Sequence, residues 1–351
     1  MGLGSYVIRR LLLLIPTLIG VSLLIFAVTQ MINPAVRAML YVTSDKQLHK
    51  IDEVIIKYGL NDPFYIQYVR WMDQLLHGNL GYSKTGKAGV LECILRRLPA
   101  TVEITMYSAP FTILLGIYLG VQSAVHKDKF IDQATRALSI IGWSLPSFWL
   151  GIMLLSFAFA TTKGIVNLPG GLFPPGRLDL NTQSIVNSAS FVKYTGLVTI
   201  DGLLNGKPLV ALDALRHLVL PVITLTTIQI ALIVRVMRSS MLEALGKGYI
   251  ISARAKGLSK KSVINKHARR NALIPVATLS GLLIAGMITG VIITETVFAF
   301  PGIGRFAADA ALQLDMPAVL GFAMLTGIVF VMANLIVDIL YAYIDPRIRL
   351  G

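Results

Sequence analysis

Six predominantly apolar stretches, at 8–31, 99–125, 134–160, 217–234, 273–298 and 317–344, are each long enough to cross a bilayer, and they leave this chain few architectures. A crossing helix needs about 20 residues at 1.5 Å each to traverse a hydrocarbon core of roughly 30 Å. In that medium every backbone N–H and C=O must find its partner inside the segment, as a helix provides. All six stretches also carry Pro, Gly, Ser or Thr. Membrane helices tolerate these where neighbouring helices re-satisfy the backbone, so these helices pack against protein as well as lipid. The fold class expected is an all-α polytopic membrane protein with six transmembrane helices.

Composition agrees. Only 14% of the 351 residues are charged and 55% are hydrophobic, where soluble domains carry roughly 25% charge. The net charge of +14 sits beside the apolar runs and not on a soluble face, so the expected partner is anionic lipid, with no nucleic acid. The single cysteine, Cys93, excludes an intrachain disulfide or a multi-cysteine metal cluster and reads as an inert apolar residue. The first run follows Arg9 and Arg10, exceeds the length of a signal-peptide core and lacks a small-residue cleavage site; it reads as a retained anchor.

Orientation follows from the basic residues. Segments 1–10, 126–132, 235–270 and 345–351 hold 16 Lys/Arg in 60 residues, against 15 in the 140 residues of 33–98, 161–216 and 299–316. The positive-inside rule then places both termini and the 235–270 loop in the cytosol, although Arg96 and Arg97 run against the trend. The organisation expected is a first helix within 1–31, an external loop 32–98, and a core 99–344 holding an external loop 161–216 and a cytosolic loop 235–272. A cytosolic tail, 345–351, closes the chain.

In the first external loop, Phe64, Tyr65, Tyr68, Val69, Met72, Leu75 and Leu76 repeat at helical spacing beside Trp71, which predicts an amphipathic helix lying on the membrane surface or on the tops of the spans. Further on, Gly81 to Ala88 imitates a phosphate-binding loop, GxxxxGK, but Ala88 stands where a hydroxyl must hold magnesium. No strand pattern precedes it. The second loop opens on Leu168-Pro169-Gly170-Gly171 and Phe173-Pro174-Pro175-Gly176, which break any helix. There is neither an internal repeat nor a low-complexity tract.

The segment 248–275 is the most informative polar stretch. If Tyr249 to Leu258 is helical, Tyr249, Ala253 and Gly257 share a face by i, i+4 spacing, and small residues let a partner approach the backbone. Arg254, Lys256, Lys260 and Lys261 ring that face with positive charge. Positive-inside bias explains the charge of such a loop but not the string Ala253-Arg254-Ala255-Lys256-Gly257-Leu258. This string, with Tyr249 before it and His267, Arg270, Asn271 and Pro275 after it, resembles the coupling segment of permease subunits in the dipeptide/oligopeptide/nickel family of ABC importers.

The resemblance runs nearly end to end. It includes Asn61-Asp62-Pro63, Gly78-Asn79-Leu80-Gly81, Pro99-Ala100-Thr101-x-Glu103, Leu145-Pro146-Ser147-Phe148 and Arg216-His217-Leu218-x-Leu220-Pro221. Glu295-x-Val297-Phe298-x-x-Pro301-Gly302-Ile303-Gly304 and Asp338-x-x-Tyr341-x-x-x-Asp345-Pro346-Arg347-Ile348-Arg349 complete it. Three positions depart from the family pattern: Asn79 replaces an aspartate, Gly248 an acidic residue, and Met31-Ile32-Asn33-Pro34 stands for Pro-Gly-Asp-Pro.

The resemblance implies the type I importer fold, five core helices plus a peripheral first helix, working by alternating access in a prokaryotic cell membrane. It implies a second homologous permease, two ABC ATPase subunits and an extracellular solute-binding protein as partners, with Tyr249, Ala253, Arg254, Ala255, Lys256, Gly257 and Leu258 docking on an ATPase. It implies no catalytic residue and no cofactor on this chain, ATP and magnesium being bound by the partners. Peptides, oligosaccharides and nickel are among the solutes of such importers. Ser144, Thr224, Thr227, Thr289 and Thr294 are expected to line the path, since a hydroxyl gains nothing from facing lipid.

An autonomous secondary transporter or channel would need intramembrane charges or a repeated half, and neither is evident. An intramembrane enzyme would need a Ser-His pair, two membrane aspartates or a metal motif. Glu103, Glu295 and Asp338 fall near span ends, where pairing or capping accommodates them. The five histidines, His49, His77, His126, His217 and His267, show no ligand spacing and read as structural or solvated. Gly116-x-x-x-Gly120 and Gly286-x-x-x-Gly290 read as helix-contact motifs.

Overall fold

The computed structural model describes residues 3–42, 51–162 and 171–344. The tail 345–351 and the turn residues Leu168, Pro169 and Gly170 lie outside them. Helices α1 (Leu3–Thr29), α2 (Pro34–Ala38), α3 (Ile51–Tyr58) and α4 (Phe64–Leu76) precede a hairpin of β1 (Tyr82–Ser83) and β2 (Ala88–Gly89). Then follow α5 (Val90–Val125), α6 (Phe130–Ser144), α7 (Ser147–Thr162), α8 (Leu180–Val186), α9 (Val198–Leu204) and α10 (Pro208–Leu245). The chain continues through α11 (Gly248–Ala255), α12 (Lys260–Ser262), a π-helical turn at Val263–Ala268, α13 (Arg269–Ile288), α14 (Ile292–Val297), α15 (Ile303–Leu312) and α16 (Met316–Ile344).

Among the described residues five helices are long and apolar enough to cross a membrane: Ile8–Thr29, α5, α10, Lys260–Ile288 and Met316–Ile339. The sixth expected span is a pair, α6 and α7, bent by 99°. The motif Leu145-Pro146-Ser147-Phe148 falls at this bend, where the helix breaks outright. Proline has no N–H to donate and disfavours helical backbone in the residue before it; Leu145 accordingly turns extended, at φ −75° and ψ 128°.

The centre of the bundle is the long pair α5 and α10. At 36 and 38 residues, they run to about 54 and 57 Å at 1.5 Å per residue and outreach the bilayer core. They touch through glycine. A Cβ on Gly116 would sit 2.6 Å from Ile233, and one on Gly120 2.6 Å from Met237, so the first small-residue motif is a helix contact. The second is not: space around Gly286 is open within the chain, and Gly290, at φ +114°, follows the helix end against the backbone of Gly304.

Helix α1 is peripheral and rests on α16, where Val21 meets Gly327. Helix α4 has the bounds expected of the amphipathic segment and packs on α1: Phe26 meets the rings of Phe64, Tyr68 and Trp71, and Tyr68 and Ser22 share a 2.8 Å hydrogen bond. Its opposite edge exposes Tyr65, Val69 and Leu76. The loop resembling a phosphate site is the β1–β2 hairpin; Ser83 Oγ and the Thr85 N–H donate to Asp315 at 2.7 and 2.9 Å, so it is tied to α16's start.

Candidate functional site: the α11 segment

Helix α11 hangs beyond the end of α10, joined to it by Gly246 and Lys247 alone. Two residues root it. Ile250 and Ala253 are buried in the main core with Met241, Ala244, Val263 and Ala268. At about 25 cal/mol per Å² of apolar area, such anchors hold a two-turn helix that would not persist alone. The rest of the surface, Tyr249, Ile251, Ser252, Arg254, Ala255, Lys256, Gly257 and Leu258, is exposed.

The sequence expectation of one outward face formed by Tyr249, Ala253 and Gly257 is therefore corrected. Ala253 faces inward, and Gly257 lies beyond the helix. Gly257 takes the left-handed conformation, φ +75°, and its N–H reaches the carbonyl of Arg254 at 2.9 Å while the Leu258 N–H reaches that of Ala253 at 3.3 Å. This is a Schellman C-cap, which favours glycine because a Cβ is strained there. The motif glycine ends the helix.

The flanks are fixed as well. Asn271 Nδ2 donates to Tyr249 Oη and to the His267 carbonyl, both at 3.0 Å, which explains why a tyrosine and an asparagine 22 positions apart belong to one motif. Ser259 Oγ accepts the N–H of Ser262 and caps the return helix. The Lys247 ammonium, at the α11 N-cap, is held above its ordinary pKa by a 2.9 Å bond to Glu243 and by that residue's charge. Beside α11, Arg254, Leu258 and Lys260 border an open depression of about 420 Å³ floored by Val125, Leu245 and Val263.

One ion pair at this end escaped sequence reasoning. Asp132 is buried and accepts Nε and Nη2 of Arg238 at 2.7 Å each, the N–H of Asp128 at 3.0 Å and the Ser123 hydroxyl. A buried charge is stable only with its hydrogen bonds complete, as here. The pair welds the α5–α6 turn to the extension of α10 that carries α11. Its partners are 106 positions apart, so no local pattern marks it.

The five candidate path residues divide by exposure. Ser144, Thr224, Thr227 and Thr289 each donate to a carbonyl of their own helix, at Ile140, Leu220, Ile223 and Gly286, so hydroxyls here need no aqueous path to be satisfied. Thr224, Thr289 and Thr294 are buried within the chain. Only Ser144 and Thr227 reach the surface, near the close crossing where a Cβ on Gly142 would lie 2.8 Å from the Thr227 carbonyl.

All three acids near span ends are paired or capping. Glu103 accepts Nε and Nη2 of Arg177 at 3.0 and 2.8 Å and the N–H and hydroxyl of Thr199 at 2.7 and 2.8 Å. Glu295 accepts the Thr101 hydroxyl and the Arg305 N–H, both at 2.7 Å, and so caps the first turn of α15. A Cβ on Gly302 would sit 2.2 Å from its carboxyl carbon, which accounts for the Pro-Gly-Ile-Gly string. Asp338 pairs with Arg10 at 2.7 Å.

The chain is thus a bundle of membrane-length helices with a short capped helix beyond the end of its longest member. Residues 112–350 match the model of the binding-protein-dependent transport system inner membrane component, and residues 3–105 match that of the N-terminal part of such membrane components. The chain belongs to this family: it is an integral inner-membrane permease subunit of an ABC importer, with the type I fold, and a transport component, not an enzyme.

Among curated relatives it is 39% identical over 347 residues to the di/tripeptide transport system permease protein DppB of Pseudomonas aeruginosa, covering 98% of each chain. It is 37% identical over 346 residues to the dipeptide transport system permease protein DppB of Escherichia coli, again 98% of each. Against the oligopeptide transport system permease protein AppB of Bacillus subtilis it is 34% identical over 351 residues, covering 99% of this chain and 100% of the relative.

Proposed function

We propose that this chain imports short peptides, forming half of the translocation path with a second homologous permease, while two ATPase subunits that bind ATP and magnesium drive it. The carrying observation is α11: rooted by Ile250 and Ala253, capped at Gly257, and exposing Tyr249, Ile251, Ala255 and Leu258. An ATPase groove closing over that surface moves α10 and α13 as levers, because the Asp132–Arg238 pair makes the root rigid. Similarity over nearly the full length to di/tripeptide, dipeptide and oligopeptide permeases supports the solute class.

In this reading an extracellular solute-binding protein delivers the peptide, both termini and α11 are cytosolic, and Ser144 and Thr227 face the path at the junction with the second permease. The test is the reconstituted importer in vesicles, offered labelled dipeptides, an oligosaccharide and Ni²⁺. Peptide uptake coupled to ATP hydrolysis is expected; uptake of the sugar or metal alone overturns the solute assignment, and uptake without copurifying ATPases overturns the whole reading. Cysteines placed at Lys84 or Lys193 in a Cys93→Ser background should label from outside intact cells, and one at Lys260 should not; external labelling at Lys260 overturns the orientation.

A further inference from the structure

Where α10 begins, at the end of the bundle opposite α11, Asp179, Asp213 and His217 bring ligand atoms within 4.8 Å of one another. Asp213 and His217 are four apart on one helix and so share a face. Asp179 reaches them as the N-cap of α8. His217 is 2% exposed, and its Nδ1 lies 3.0 Å from the carbonyl of Gly176, which makes Nδ1 an N–H donor; in the neutral imidazole Nε2 then carries the lone pair. Nε2 is buried, makes no hydrogen bond, and points between the two carboxylates, 3.4 Å from Asp179 Oδ1 and 3.7 Å from Asp213 Oδ1.

We propose that these three side chains bind a first-row divalent transition-metal ion, with Zn²⁺ the ion the geometry fits. Zinc–nitrogen and zinc–oxygen bonds of about 2.0–2.2 Å in a tetrahedron place neighbouring ligand atoms about 3.4 Å apart; Nε2 lies 3.4 and 3.7 Å from the two carboxylate oxygens, and all three atoms fall within 4.8 Å, so small side-chain shifts close the site. The other atom of each ligand is already held. Asp213 Oδ2 accepts the Asp179 N–H at 3.0 Å, Asp179 Oδ2 accepts Arg216 Nη2 at 2.5 Å, and the histidine donates to Gly176. Such outer hydrogen bonds orient metal ligands and set the imidazole tautomer.

Charge favours a cation as well. Two carboxylates against one guanidinium, Arg216, leave the cluster at −1 with a neutral imidazole. Protonating Nε2 would supply the missing charge, but a charge-assisted N–H···O bond is about 2.7–2.9 Å long, shorter than either distance here. With side chains 19% and 10% exposed, Asp179 and Asp213 leave an entry and a fourth position for water. A bound ion would clamp residues 176–179 to the start of α10.

The test uses the full-length chain in detergent, stripped with a chelator and titrated with Zn²⁺ by calorimetry and with Co²⁺ by visible absorption. Expected are one equivalent of tight binding per chain, a tetrahedral Co²⁺ spectrum and a raised unfolding temperature. His217→Gln, Asp213→Asn and Asp179→Asn should each weaken binding at least about 100-fold. Because Asp179 also pairs with Arg216, the readout for each variant is the Zn²⁺-induced rise in its own unfolding temperature, which should vanish in all three. No stoichiometric binding by the wild type, as when a protonated His217 bridges the two aspartates, overturns the proposal. So does unchanged binding in both aspartate variants, which would place the ion on other residues.

Discussion

The two ends of this bundle are held by opposite means. At the α11 end, a short helix is kept by two buried apolar side chains and by backbone caps, and it leaves Tyr249, Ile251, Ala255 and Leu258 uncovered. At the other end, buried carboxylates are saturated internally: Glu103 by Arg177 and Thr199, Glu295 by Thr101 and the first turn of α15. The first arrangement offers a surface to another chain; the second closes a surface within this one. Substitutions at the saturated end should act on stability, and those on the outward face of α11 on coupling.

The largest effect expected is at the saturated end. Glu103→Ala removes the buried acceptor of the half-buried Arg177 guanidinium and of Thr199, leaving Arg177 the Gly196 carbonyl; removing one partner of a fully buried pair costs about 3–5 kcal/mol, an upper bound here. Membrane abundance and the unfolding temperature of the purified chain should both fall sharply. A variant as stable as the wild type would break the comparison at its root.

Next come two tryptophans on α11, two positions apart. Ala253→Trp forces bulk into the core beside Met241 and Val263, an overpacking worth about 1–3 kcal/mol, and should lower thermal stability together with transport. Ala255→Trp points outward; it should leave the unfolding temperature unchanged and abolish coupled transport and solute-stimulated ATP hydrolysis in vesicles. Equal behaviour of the two would deny that α11 has an inner and an outer face.

A smaller change tests the cap. Gly257→Ala puts a Cβ on a left-handed residue, at a cost of about 1–2 kcal/mol, where surrounding space is otherwise open. A modest drop in unfolding temperature with partial loss of coupling is expected; full wild-type behaviour would show that the cap is dispensable. Least affected should be Lys260→Ala. At the charged margin, an exposed ion pair is worth no more than about 1 kcal/mol, so transport should change less than about fivefold.

Much of this was readable residue by residue. The amphipathic run beside Trp71 has the bounds of α4, and Pro146 marks the break between α6 and α7. The Arg-Ala-Lys-Gly-Leu string marks the docking candidate, but its glycine does not share a helical face with Tyr249 and Ala253, because i, i+4 spacing assumes that the helix continues through position 257 and the C-cap ends it first. His217 reads from the sequence as structural or solvated; Asp213 stands four positions before it on α10 and Asp179 a further 34 positions earlier, so only the fold brings the three together.

What the sequence determined by itself is whatever depends on neighbours along the chain: spans from apolar length, breaks from proline, caps from glycine and serine. The tertiary structure decided what depends on neighbours in space. It turned Ala253 inward, enclosed Thr224, Thr289 and Thr294, and joined Asp132 to Arg238 and Glu103 to Arg177 across 106 and 74 positions. Helical periodicity fixes which residues share a face, but the direction that face turns is set by the element packed against it.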